Sequence, residues 1–177
     1  FFDEQNIDLQ YNKNLLNKTL DFNHNYILSN KLSRQIVKDI NTSETTILYV
    51  GAGCRNHVND LIQFAEKTDS LVCTTLSGKG IFPESHKNWL WCGMNCGIPN
   101  IIEKHIKNCD LMIMIGVQTS ELCLGHYTFS SPKKSYIINV DDAVFNKNVN
   151  GIPIKCSSYS FFKKMNTMTF ENKKNID

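Results

Sequence analysis

Apolar residues in this chain gather into short, nearly continuous runs that alternate with stretches of helical period. Thr45–Val50, Ser70–Thr74, Leu111–Ile115 and Ser135–Val140 read as buried strands, and Trp89–Trp91 as a short one. Gly151–Cys156 reads as a last strand at a sheet edge, because Pro153 cannot donate to a ladder. Between these runs, Leu32, Ile36, Val37 and Ile40 recur at helical spacing behind a cap at Ser29 or Asn30. Val58, Leu61, Ile62, Phe64 and Ala65 mark a second helix. Ile101, Ile102, His105 and Ile106 mark a third near Pro99, and Phe161, Phe162 and Met165 mark a fourth. Strands that alternate with helices and lack an in/out pattern are buried on both faces. The expectation is an α/β protein of three αβα layers around an open parallel sheet.

The first 28 residues, rich in Asn, Lys and Asp, read as a linker or the tail of a preceding domain. Residues 29–170 are expected to form the αβα domain, and residues 171–177 a polar tail. The start at Phe1-Phe2-Asp3-Glu4, without an initiator Met or a signal-peptide layout, is expected of a segment cut from a longer chain. With 41% hydrophobic and 20% charged residues the chain carries enough apolar material for a core. A net charge of +2 with no basic run points away from nucleic acid, and no run approaches the ~20 apolar residues of a membrane span. Seven cysteines, an odd number, are scattered along the chain, and Cys54, Cys73, Cys109 and Cys156 sit in or beside apolar runs, as reduced thiols in a cytoplasmic protein would. Cys92 and Cys96 have no second pair to complete a zinc site, so no metal is expected.

In open parallel sheets, ligands dock outside the carboxyl ends of the strands. Those ends carry Gly51-Ala52-Gly53, Thr74-Thr75, Gly116-Val117 and Asp141. Small residues there let a ligand approach the backbone, and Asp141 can accept hydrogen bonds from a ribose. Gly51-Ala52-Gly53 at a strand–helix junction fits either a diphosphate cradle or a tight turn without a ligand. Asn56 stands where the dinucleotide fingerprint needs its third glycine, and Thr74-Thr75 where it needs an acid, so a standard NAD site is not expected. Lys79 lies between two glycines without Walker spacing and reads as a surface lysine. His86, His105 and His126 lack an evident acid partner and read as structural or surface histidines.

The stretch from Thr74-Thr75 through Gly78-Lys79-Gly80 to Phe82-Pro83-Glu84 and His86 resembles a segment in the central domain of thiamine-diphosphate-dependent enzymes of the acetolactate synthase and 2-oxoacid decarboxylase group. Asn108–Gly116 and Ile138–Asp142 are similar to two further blocks of that domain, and the likeness runs from about Ser29 to Met165. The resemblance implies a six-stranded, Rossmann-like parallel sheet. It also implies flanking pyrimidine-binding and diphosphate-binding domains in a homo-oligomeric parent that holds thiamine diphosphate and Mg²⁺. Neither the Gly-Asp-Gly motif nor the activating Glu segment occurs in this chain, so catalytic residues are not expected in it. In some relatives the central domain holds FAD or ADP. The candidate cofactor-binding positions are then Gly51, Ala52, Gly53, Thr75, Leu76, Gly116, Val117, Ser120 and Asp141. Gln118 and Leu122 replace arginines of the FAD-binding members, and the glycine turn near Asn95-Cys96-Gly97 lacks their His, which weighs against FAD. Two alternatives remain at this stage: a stand-alone nucleotide-binding domain of sirtuin-like type that takes NAD, and a non-catalytic interaction domain.

Overall fold

A computed structural model describes residues 26–94, 98–125, 132, 134–145 and 149–171. The turn at Asn95–Gly97, His126, most of the first segment and most of the tail lie outside them. Helix α1 (Asn30–Thr42) starts where the Ser29 hydroxyl accepts from the Leu32 N–H at 3.3 Å, and it buries Ser33, Ile36, Asp39 and Ile40. Strand β1 (Thr46–Val50) is buried at every position. A 3₁₀ turn (Ala52–His57) then leads into helix α2 (Val58–Thr68), which Asp69 ends in the left-handed conformation. Strands β2 (Leu71–Thr74) and β3 (Trp89–Cys92) follow, and then helix α3 (Asn100–Lys107). Strands β4 (Leu111–Ile115), β5 (Lys134–Asn139) and β6 (Ile152–Lys155) precede the closing helix α4 (Ser158–Met165).

The six strands lie in the order β3-β2-β1-β4-β5-β6, and all five pairings are parallel. The expected α/β architecture is therefore the observed one, with Pro153 on an edge strand. Strand boundaries move by about one residue, as where β5 takes in Lys134 and stops at Asn139. The strand order reverses between β1 and β4, so their carboxyl ends diverge into separate loops and open a crevice between them.

Alternate strand residues feed two cores. Leu48, Val50, Ile113 and Ile138 pack with Ile36 of α1, Phe64 of α2 and Phe161 of α4. Ile47, Tyr49, Met112 and Met114 pack with Ile106 of α3 and with Leu124 and Val144 from loops. Polar clamps set the edges of this sandwich. The Asp110 carboxylate accepts from the Glu44 and Thr45 N–H groups at 2.9 Å and ties β1 to β4 at their amino ends. Asp39, buried on α1, accepts from Gln35 at 3.0 Å, from Lys134 at 2.5 Å and from the Tyr136 hydroxyl, and so fastens α1 to β5.

Candidate functional site

The tips of β1 and β4 touch through glycine. Gly51 N–H donates to the Ile115 carbonyl at 3.0 Å, and Gly53 N–H to the Gly116 carbonyl at 3.2 Å. A Cβ on Gly51 would sit 2.2 Å from the Gly116 oxygen, and one on Gly53 would sit 2.8 Å from the Gly116 Cα. Gly116 itself has φ +60°, a region that disfavours other residues. The glycines therefore let two backbones meet at the switch point. The N–H groups of Gly51 and Gly53 donate to carbonyls of the same chain, so those two groups are engaged within the fold.

The other candidate positions lie on the same rim with different exposures. Ala52 and Gly53 are open to solvent. Thr75 is buried, and its hydroxyl accepts from the Gly78 N–H at 3.0 Å, holding the 3₁₀ turn Leu76–Gly78. Leu76 on that turn is exposed. Val117 points into the second core, while its carbonyl accepts from Asn139 at 2.9 Å. Ser120 is exposed, and its carbonyl accepts from Cys123 and Leu124. Asp141 is exposed and caps the turn Asp142–Val144 by accepting from the Ala143 N–H at 3.0 Å.

A crevice of about 220 Å³ opens beside the glycine contact. Of the nine candidates only Gly53 and Gly116 line it. Its other walls include Asn56 and His57 from the β1 loop, Asn139 from β5, and Ser157 to Tyr159 at the start of α4. The Ser158 hydroxyl donates to the Gly53 carbonyl at 2.6 Å and ties α4 to the β1 tip across 105 residues. The His57 and Tyr159 rings lie 5.5 Å apart. The α4 wall was missing from the sequence-based candidates. Its signal was there: Ser157 follows the last apolar run and caps the last helix, accepting from the Ser160 N–H at 3.1 Å. Asp141 instead borders a neighbouring hollow with Tyr26, Asp142 and Lys155, and the two hollows share Val140.

Among the described residues no lysine or arginine lines the crevice, and His57 supplies its imidazole. Cys54, at the strand end, is fully buried and donates to the Ile115 carbonyl at 3.3 Å. Burial pushes its thiol up to about 12, so it stays protonated and inert near neutral pH. Tyr49, whose hydroxyl donates to the Cys123 carbonyl at 2.6 Å, is likewise held protonated by burial. Among the described residues no three His, Cys, Asp or Glu side chains converge on a point where a cation could sit, so no step through Mg²⁺ or thiamine diphosphate is assigned to this segment.

Two of the singled-out residues can be placed beside these. Lys79 is exposed and approaches Glu84 at 3.9 Å, a surface ion pair. For His86 the expectation is corrected. It has an acid partner, Glu66 of α2, at 3.3 Å, because the loop after β2 folds back over that helix. Its other ring nitrogen accepts from the Asn88 N–H at 3.2 Å, and the ring packs edge-on to Phe82.

Fold and rim together define a doubly wound αβα module with a small, weakly charged crevice at its switch point. Residues 33–165 match the family model described as thiamine pyrophosphate enzyme, central domain; the chain belongs to that family. It is 34% identical over 119 residues to acetolactate synthase 1, chloroplastic, of Nicotiana tabacum, an alignment that covers 66% of this chain and 18% of that protein. It is 33% identical over 126 residues to the probable acetolactate synthase large subunit of Methanocaldococcus jannaschii, covering 68% and 21%. A solved structure of a Mycobacterium smegmatis protein assigned as thiamin diphosphate-dependent superposes with a TM-score of 0.67 at 16% identity, over 85% of this chain and 30% of that one. The chain thus spans about a fifth of the length of these two curated relatives. It is an acetolactate synthase-like central domain, and the likenesses give the sirtuin-like alternative no support. No helix among the described residues is long and apolar enough to cross a membrane.

Proposed function

We propose that this chain is the spacer module of a larger thiamine diphosphate-dependent enzyme that acts on 2-oxoacids. In the parent, a pyrimidine-binding domain and a diphosphate-binding domain would flank residues 29–170 and hold thiamine diphosphate and Mg²⁺ between them, in a homo-oligomer in the cytoplasm. The cofactor would supply the stabilised carbanion, and this module would set the distance and angle between the two halves that hold it. The observation that carries the spacer reading is the glycine contact at the switch point. Two of the N–H groups that could cradle a diphosphate are bonded to Ile115 and Gly116, and among the described residues no lysine or arginine lines the crevice beside them. FAD and ADP, both diphosphates, would find fewer donors there than a diphosphate site usually offers. The nine rim positions are then read mainly as the residues that shape the carboxyl edge, with Gly53 and Gly116 alone bordering the crevice.

Two measurements test this. Titration of the 177-residue chain with FAD and with ADP should give no saturable quenching of flavin fluorescence and no rise in melting temperature, whereas a bound nucleotide would raise it by mass action. Stoichiometric flavin or ADP would overturn the spacer reading. The protein encoded by the complete parent gene should consume pyruvate when supplied with thiamine diphosphate and Mg²⁺. A parent that turns over no 2-oxoacid would overturn the assignment of the reaction.

A further inference from the structure

Six large apolar side chains are exposed among the described residues, and two of them, Ile27 at 76% and Tyr159 at 47%, line one groove of about 410 Å³. Tyr26 shares its apolar lining, and Lys163 and Lys164 of α4 stand along it. None of the described residues that line it is acidic, and α4 carries no acidic residue at all. Lys163 leans over the Tyr159 ring at 5.4 Å, its Nζ 3.3 Å from the hydroxyl, and among the described residues neither Lys163 nor Lys164 pairs with a carboxylate. Among the described residues the groove is therefore apolar with a positive flank that no carboxylate meets.

The chain enters the domain through this groove. The Tyr26 carbonyl accepts from the Ser157 N–H at 3.4 Å, Lys155 lies over the Tyr26 ring at 4.7 Å, and Leu28 is buried in the first core. Ile27, between two anchored neighbours, is thereby held outward. We infer that this groove is an interdomain docking surface, filled by an amphipathic segment with an apolar face and acidic flanks that belongs to the flanking polypeptide of the parent enzyme, outside residues 1–177. An apolar stripe would cover Ile27 and Tyr159, and carboxylates would meet Lys163 and Lys164, the arrangement by which charge sets register and apolar contact supplies affinity. The curated relatives carry about four fifths of their length outside the matched region, so such polypeptide is at hand in them. The inference rests on the proposed multidomain parent.

The test is thiol labelling of Ile27→Cys in the full-length parent, read site by site by mass spectrometry because the chain has native cysteines. The rate is compared with that of the same protein unfolded in urea. An uncovered thiol at this position labels within a few-fold of the unfolded rate, whereas a docked one labels at least about tenfold more slowly. Protection at this level is expected, and Lys163→Glu with Lys164→Glu should abolish most of it. Labelling at the unfolded rate overturns the proposal. Protection that rises with protein concentration points to a second copy, and protection indifferent to the charge reversal to an uncharged occupant; either overturns it, as does a parent gene that encodes nothing beyond this chain. Labelling does not depend on turnover, so an inactive parent in which the introduced thiol is protected would sink the proposed reaction and leave the docking surface standing.

Discussion

At the scale of single residues, two glycines of similar appearance in the sequence do different work. A Cβ at Gly51 would meet backbone atoms of Gly116 and Val117 at 2.2–2.8 Å, and neither strand tip can withdraw without opening the β1–β4 ladder. Gly80 has φ +82° and nothing within 4 Å of an added Cβ. Gly51→Ala should therefore destabilise the chain by about 3 kcal/mol or more through overpacking. Gly80→Ala should cost only the left-handed strain of about 1 kcal/mol. Urea denaturation of the two variants checks the ranking, and equal losses would contradict the contact at the switch point. The buried thiols make a second prediction at this scale. Burial pushes Cys54, Cys73 and Cys109 from an ordinary 9.0 up to about 12, and Cys156 up to about 11. Each folded value lies above the unfolded one, so the stabilisation is complete below about pH 9 and is lost as pH climbs through about 11 to 12. The urea midpoint should hold up to about pH 9 and fall beyond it. Cys54→Ala, which removes one of these groups, should make that fall shallower.

At the scale of elements, the decisive contacts join segments far apart in sequence, which separates what could be read from the chain from what could not. The strands were legible because Leu111–Ile115 and Thr46–Val50 are apolar at every or nearly every position, a property of the run itself. The Thr75 turn and the edge position of Pro153 follow equally from local chemistry. The strand order, the Gly51–Gly116 contact and the Glu66–His86 pair each need a partner 20 or more residues away, and local pattern carries no record of it. The same holds for the crevice: Gly53 and Gly116 were legible at their strand ends, but Ser158, which closes it, comes from α4. The Asp39 clamp also belongs to this class, since α1 meets β5 across nearly a hundred residues. Asp39→Ala would leave the Tyr136 hydroxyl buried without its acceptor and Lys134 without its counter-ion. A loss of about 3 kcal/mol is expected. Asp39→Asn keeps an acceptor for Tyr136 and should lose less. A urea series on both variants checks the order, and a neutral Asp39→Ala would mean that the clamp adds nothing to the α1–β5 junction.

At the scale of the whole molecule, the sheet lies between two cores that share no side chain but share every interior strand. Leu48 and Val50 face one core while Ile47 and Tyr49 of the same strand face the other, so neither core can dissolve without releasing the backbone that supports its counterpart. The two tryptophans report on this separately. Trp89 packs against the first core and Trp91 against the second, although both stand on edge strand β3. Trp91→Phe leaves one fluorescent reporter on the α1–α2–α4 side, and Trp89→Phe leaves one on the α3 side. Because one sheet couples the two layers, the transitions seen through either reporter and through far-ultraviolet circular dichroism of the same variant should coincide in urea, as expected of a single cooperative unit. Leu61→Ala on one side and Met114→Ala on the other should each lower that common midpoint, by about 2–5 kcal/mol in stability, without splitting it. A reporter on the α3 side that melts ahead of circular dichroism would show that this layer, built among the described residues from one short helix and loops, opens independently. A spacer meant to hold two flanking domains at a fixed distance could not tolerate such an opening, so the same unfolding curves bear on the function proposed for the module.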